Sequence, residues 1–138
     1  MADNVRSVEY YYTVVSDEPG EGAKILNTMT ASGVNLLAYT GFPSSAGKAQ
    51  LDFVPSDKQA FLAAVQTAGI ELVGPKVAFL VQGDDRLGAV ADVLTKLAGA
   101  GINVTAMDAT SAGEGRYGAI LWVKPDDTHR AAVVLEAS

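Results

Sequence analysis

The chain has 138 residues, of which 49% are hydrophobic and 19% are charged, as is ordinary for a globular protein. Its formal net charge of −6 argues against a nucleic-acid partner, because phosphate binding needs a basic surface. The absence of cysteine excludes disulfides, thiolate metal sites and thiol nucleophiles. The first residues lack the apolar core of a signal peptide, and no stretch is long enough to span a bilayer. We therefore expect a cytoplasmic protein with no membrane partner.

The first half of the chain predicts the element order β-α-β-β-α-β. Residues 8–15 are rich in tyrosine and valine, which indicates a strand, and Asp17 is placed to cap the helix that follows. Two amphipathic helices are expected, ending at Gly33 and Gly69. Gly74-Pro75 is expected to close the half. The other strands are expected at residues 34–40, 48–54 and 70–73.

The second half predicts the same order up to its last helix. A strand at 76–82 leads through a glycine-rich loop into a helix. Residues 103–109 and 116–124 are expected to form a hairpin, followed by a helix at 129–136. A fourth strand is then missing, so the edge at 76–82 is either exposed or covered by another segment. We take this as an indication of oligomerisation.

The two halves are related in sequence. Gly33-Val34-Asn35 recurs 68 residues later as Gly101-Ile102-Asn103, and Pro19-Gly20 recurs at the same spacing as Leu87-Gly88. After the hairpin the spacing is 70, and Gly113-Glu114-Gly115 is expected to hold the two extra residues. The sequence therefore predicts an α+β fold of two ferredoxin-like βαββαβ repeats, with antiparallel sheets, helices on one face, and no last strand in the second repeat. The expected domains are residues 5–74 and 75–138.

This arrangement of a strand, a loop ending in Pro19-Gly20 or Leu87-Gly88, a helix and a Gly-Val/Ile-Asn turn resembles the ACT domain. That family comprises small amino-acid-sensing modules, often attached to biosynthetic enzymes. The resemblance occurs once in each half, so that its two copies together cover nearly the whole chain. It implies that domains pair side by side and bind amino acids in the seam, the line along which two paired domains meet. The ligand-binding residues that it implies are Asp17, Glu18 and Gly20 with Asn103 at one site, and Asp85, Arg86 and Gly88 with Asn35 at the other.

Elementary chemistry agrees with such a site, but simpler roles stay open. Unpaired N–H groups at a helix start attract a carboxylate, and an asparagine offers both a donor and an acceptor. Asp17 and Asp85 are equally suited to cap helices, and the two asparagines to satisfy backbone groups where a strand begins. The family's serine-binding loop carries a histidine and an asparagine before Pro-Gly. This chain has Val15 and Asp17 there, so serine specificity is not implied.

The sequence thus predicts a free-standing regulatory protein rather than an enzyme. It would sense a small amino acid or related carboxylate, form a homodimer, and act on a candidate partner among the enzymes of amino-acid metabolism. No cofactor is expected, because the chain lacks both a dinucleotide-binding glycine loop and a phosphate-binding loop. The alternative is a ligand-independent interaction or oligomerisation module. A phosphate-handling enzyme of the same topology would have only Arg86, with Lys24 or Lys48, as its cationic site.

Overall fold

The computed structural model describes residues 3–138, which form six strands and four α-helices. In chain order these are β1 (Asn4–Ser16), α1 (Glu21–Ala31), β2 (Leu36–Pro43), β3 (Lys48–Pro55), α2 (Lys58–Ala68), β4 (Val73–Asp84), α3 (Ala89–Gly99), β5 (Val104–Gly113), β6 (Arg116–Val123) and, after a 3-10 turn at Pro125–Asp127, α4 (Thr128–Val134).

The chain divides into two units, and two of its strands contribute to both. The first unit comprises residues 10–76, and the second comprises residues 3–9 together with 77–138. The strand order is β2-β3-β1-β4 in the first unit and β1-β4-β6-β5 in the second. Each unit is therefore a four-stranded antiparallel sheet with two helices, which confirms the predicted ferredoxin-like fold.

The edge at residues 76–82, which the sequence left either open or covered, is covered. Within the second unit, residues 4–9 of β1 lie beside β4 in the place of the missing fourth strand. The backbone of Ser138 joins the same segment, donating to the carbonyl of Val5 at 3.0 Å and accepting from the N–H of Ser7 at 3.0 Å. Residues 76–82 therefore offer no open strand edge through which a second copy of the chain could associate.

Strand β4 differs from the sequence prediction, which placed one strand before Gly74-Pro75 and a separate strand after it. The structure has one strand from Val73 to Asp84 that runs through both residues. Proline lacks an N–H, but β4 is the edge strand of the first unit, where a missing donor costs no bond on the open side. A Cβ on Gly74 would lie 2.9 Å from the carbonyl oxygen of Tyr10, so the close approach of the two strands requires glycine there.

Each unit has its own hydrophobic core, built from the inward positions of its strands and the apolar faces of its helices. In the first unit the rings of Tyr11 and Phe53 each lie 5.6 Å from that of Phe61, centroid to centroid. Met29 of α1 is buried against this group. Leu97 of α3 is fully buried in the second core. The two helices therefore bury residues at equivalent positions of the repeat.

The two hairpins correspond residue by residue. Leu36 pairs with Pro55 in the first, and Val104 with Val123 in the second, so both partners are shifted by 68. The extra residues predicted at Gly113-Glu114-Gly115 are therefore not there. They lie after β6, because Asp57 and Asp127, the residues before α2 and α4, are 70 apart. The 3-10 turn at Pro125–Asp127 accommodates them.

Candidate functional site

The loops that precede α1 and α3 have the same backbone. Both helices begin after a glycine in the left-handed region, Gly20 with φ 91° and Gly88 with φ 79°. In each loop an aspartate N–H donates to the turn of the adjacent hairpin: Asp17 to Gly47 O at 3.0 Å and Asp85 to Gly115 O at 2.8 Å. The loops are thus fixed against their own hairpins, and their side chains are presented beside a helix start.

The capping role predicted for Asp17, and left open for Asp85, is wrong. Within residues 3–138 no side chain caps α1 or α3. The reason is position: each aspartate lies three residues before the N-cap glycine, whereas a capping side chain belongs to the N-cap residue itself. The first-turn N–H groups of both helices therefore have no side-chain acceptor, and this end of a helix attracts negative charge.

A cavity of about 320 Å³ opens at the start of α3, and we call it the Arg86 cavity. The Arg86 guanidinium is held from two sides. Its Nη1 lies 3.0 Å from Asp3 Oδ1, and its Nη2 lies 2.9 Å from Asp92 Oδ2. The side chain of Arg86 is 34% exposed and that of Asp3 only 10%. The lining residues are Asp85, Arg86, Gly88, Ala89, Val90, Ala91, Ala109, Thr110, Ser111 and Tyr117.

Tyr117 is a further residue of this cavity, and the sequence did not indicate it. It is 5% exposed, and its buried hydroxyl has no hydrogen-bond partner in the described part of the chain. Burial, and then the nearby Asp3 carboxylate, raise the pKa of Tyr117 to about 12. The phenol is therefore protonated at neutral pH and able to donate. Gly83 makes room for this arrangement, since a Cβ there would overlap the Asp3 carboxylate and lie 3.0 Å from Tyr117 Cε1.

The equivalent cavity at the start of α1 has a volume of about 260 Å³, and we call it the Tyr39 cavity. Its lining carries three carboxylates, Asp17, Glu18 and Glu21, and among the described residues around it none is lysine or arginine. The Tyr39 hydroxyl lies over the helix start, 3.0 Å from where a Cβ would stand on Gly22. Burial raises the pKa of Tyr39, so this hydroxyl is also neutral.

The structure brings together some of the predicted site residues and separates others. Asp85, Arg86 and Gly88 all line the Arg86 cavity, whereas Asp17 and Glu18 line the Tyr39 cavity without Gly20. Asn35 and Asn103 are exposed just before β2 and β5, and line neither of these two cavities. The carbonyl of Asn35 accepts from both the N–H and the hydroxyl of Ser56 at 3.0 Å. The pairing of each asparagine with the loop of a neighbouring domain stays a prediction.

In residues 3–138 no cluster of histidine, aspartate and glutamate side chains is arranged to hold a metal ion. No helix in the same range is long and apolar enough to cross a membrane.

Comparison of the fold with solved structures gives similar molecules over nearly the whole chain. Protein BT0572 from Bacteroides thetaiotaomicron has a TM-score of 0.79 at 16% identity, covering 96% of this chain and 89% of that one. The ligand-free regulatory subunit of aspartate kinase from Thermus thermophilus has a TM-score of 0.65 at 15% identity, covering 99% and 95%. A structure of aspartokinase alpha and beta subunits has a TM-score of 0.65 at 18% identity, also covering 99% and 95%. At these identities the likenesses establish the fold.

The sequence comparison identifies the second repeat. Residues 77–137 match the model of the ACT domain. A search of curated proteins gives no significant match. The chain has the fold of two βαββαβ modules, and the second of them is an ACT domain.

Proposed function

We propose that this protein is a regulatory module that binds a small amino acid or a related carboxylate in the Arg86 cavity. The match of the second repeat to the ACT domain and the likeness to regulatory subunits of aspartate kinase support a regulatory role based on small-molecule binding, rather than catalysis. One observation carries the choice of cavity. Beside an uncapped helix start, the Arg86 cavity has a cation and an unpartnered hydroxyl, whereas its counterpart has three carboxylates.

The lining of the Arg86 cavity matches the two charged ends of an amino acid. A guanidinium binds a carboxylate through paired N–H donors, and the first-turn N–H groups of α3 favour the same charge. Asp85 supplies an acceptor for the ammonium group. Ala89, Val90 and Ala109 provide a small apolar surface for the side chain. Its volume of about 320 Å³ lies at the lower end of the range of small-ligand sites.

The remaining predicted residues would act from a neighbouring domain. In the ACT arrangement Asn35 would contact the ligand in the Arg86 cavity. Asn103 would face the loop of Asp17 and Glu18, where no lysine or arginine lines the cavity and we propose no ligand. Pairing of domains in a homodimer would create this seam. Binding would stabilise the pairing and alter the behaviour of a partner, for which an enzyme of amino-acid metabolism is the candidate.

The test is a thermal-shift screen of the twenty amino acids. A ligand present at 100 times its dissociation constant stabilises the fold by about 2.7 kcal/mol, which raises the melting temperature by several degrees. We expect Arg86→Gln to abolish the shift, and Asn35→Ala to weaken it. The matched control is Arg116→Gln. It removes an arginine of the same unit that pairs with Asp84 at 2.8 Å and does not line the cavity. A shift that survives Arg86→Gln, or no shift with any amino acid, would contradict the proposal.

A further inference from the structure

We propose that Asp3 is a built-in competitor for the Arg86 cavity: its carboxylate holds the guanidinium where the ligand carboxylate binds, and Tyr117 donates to that ligand once Asp3 is displaced. This inference rests on the proposed function and adds two residues, both outside the predicted site. In the unliganded protein, Asp3 would then block ligand binding at Arg86. Ligand affinity would then depend on the opening of one ion pair.

The position of Asp3 suits a competitor better than a surface ion pair. Its side chain is only 10% exposed, and its Oδ1 lies 3.0 Å from Arg86 Nη1. The second partner of Arg86, Asp92, is 61% exposed and lies on α3 itself. Asp3 comes instead from the segment just before β1, 83 residues away in sequence. The absence of a side chain at Gly83 provides the space that the Asp3 carboxylate occupies.

Tyr117 supplies the independent sign that a ligand belongs in this cavity. A buried hydroxyl without a partner is unfavourable and rare, and one that lines a cavity is a donor that a ligand there can satisfy. Tyr117 lines the cavity, and the Asp3 carboxylate lies close enough to raise its pKa, although the hydroxyl has no hydrogen bond of good geometry within the described residues. A ligand carboxylate bound at Arg86 would replace Asp3 and accept from Tyr117 as well. One exchange would then satisfy a donor that the unliganded protein leaves unpaired.

The exchange also suggests how binding is transmitted. Asp3 directly precedes β1, whose residues 4–9 fill the fourth-strand position of the second unit. Displacing Asp3 would release the start of that strand. Ligand binding would then change hydrogen exchange at residues 4–7.

The first experiment compares the wild type with Asp3→Asn by isothermal titration calorimetry. Each of the twenty amino acids is titrated, with acetate as the bare carboxylate. If Asp3 holds Arg86 in about nine-tenths of the unliganded molecules, Asp3→Asn tightens the apparent dissociation constant about tenfold. The control, Asp84→Asn, breaks the ion pair of Asp84 with Arg116 and makes the same chemical change outside the cavity. It should leave the affinity unchanged.

The outcomes separate the competitor from the function on which it rests. If the wild type binds a probe and Asp3→Asn binds it equally or more weakly, the competitor role of Asp3 is overturned and the proposed function stands. If only the Asp3→Asn variant binds a probe, the result supports a competitor that this probe cannot displace. If neither protein binds any probe, while circular dichroism shows both to be folded, both proposals fail.

The second experiment tests the hydroxyl of Tyr117. Tyr117→Phe should weaken binding about tenfold or more, because a hydrogen bond to a charged group is lost, without lowering the melting temperature of the unliganded protein. Tyr11→Phe is the matched control, since Tyr11 is the buried tyrosine of the first unit whose hydroxyl also has no partner among the described residues. It should leave affinity unchanged. Unaltered affinity in Tyr117→Phe would show that this hydroxyl does not contact the ligand.

Discussion

The loop before α1 and the loop before α3 are held by the same bonds at positions 68 residues apart. The N–H of Lys24 donates to Gly20 O at 2.9 Å, and the N–H of Asp92 donates to Gly88 O at 2.9 Å. Even the hairpin positions that line the two cavities correspond, since Pro43 pairs with Ala49 as Ser111 pairs with Tyr117. The duplicated backbone has therefore been kept at both sites.

The side chains on this shared backbone differ in charge and size. Arg86 stands where the first loop has Glu18, and Tyr117 stands where β3 has Ala49. In the first unit the Tyr39 hydroxyl lies over the start of α1, and the equivalent residue of the second unit is Met107. Repetition thus preserved the backbone of both loops, while only the cavity of the second is lined by an arginine. Matched substitutions in the two repeats test where they are alike and where they differ.

The largest expected effect tests the likeness of the two cores. Met29 and Leu97 occupy equivalent positions in α1 and α3, and each is almost wholly buried. Truncating either to alanine should lower the free energy of unfolding by about 2–5 kcal/mol, because apolar contact is lost and a void remains. Urea denaturation measures it, and Val133→Ala, at a position that is 64% exposed, should cost under about 0.5 kcal/mol. A loss below about 1 kcal/mol at either core position would mean that the two cores are not alike.

The next effect tests the difference in charge. Arg86→Glu gives the second loop the charge of the first. It should weaken the free energy of ligand binding by about 1.5–3 kcal/mol or more, because a hydrogen bond to a charged group is lost. Glu18→Arg is the reciprocal change. It should create no new site, because Asp17 and Glu21 would pair with the arginine and Tyr39 still covers the helix start. Calorimetry with the amino acid found by the screen measures both. A Glu18→Arg variant that gains a second binding event would show that charge alone separates the two sites.

A smaller effect tests the shared backbone at the helix starts. Valine at Gly20 or Gly88 would have to adopt a left-handed conformation, which costs about 1–2 kcal/mol for a residue with a side chain. The two variants should be destabilised about equally, since both glycines face open space and the strain is conformational. Gly99→Ala is the control, because Gly99 is helical and unhindered, and should be neutral or slightly stabilising. Unequal losses would mean that the loops differ in more than their side chains.

Local patterns were enough to predict most of this fold. Apolar periodicity together with left-handed glycines at Gly33 and Gly69 marked where two of the helices end. The length of β1 and the continuity of β4 were not predicted, because each strand passes from one unit into the other. No local pattern encodes which distant segment pairs with residues 4–9. The same limit applies to the cavity. The ACT resemblance indicated Asp85, Arg86 and Gly88, but Asp3 and Tyr117 join them only through tertiary structure.

The smallest effect concerns position 52, where the two repeats differ inside the sheet. Asp52 is 6% exposed, and the equivalent residue, Ile120, is 8% exposed. Burial raises the pKa of Asp52, although the hydrogen bond from Gln50 at 2.9 Å and the charge of Lys76 oppose it. The folded state therefore holds this proton more tightly than the unfolded state does. Its stabilising effect is present below the ordinary carboxyl pKa of about 3.9 and is lost as pH rises through the folded pKa.

The raised pKa of Asp52 predicts how the stability of Asp52→Asn should depend on pH. An amide keeps the acceptor for Gln50 and carries no charge, so the variant should melt above the wild type near neutral pH. The difference should shrink as pH falls toward about 4, because the wild-type carboxyl then takes up its proton. Melting curves across this range measure the difference, and Asp108→Asn makes the same change at an exposed position of β5. A variant that melts below the wild type near neutral pH would show that the charge of Asp52 stabilises the sheet.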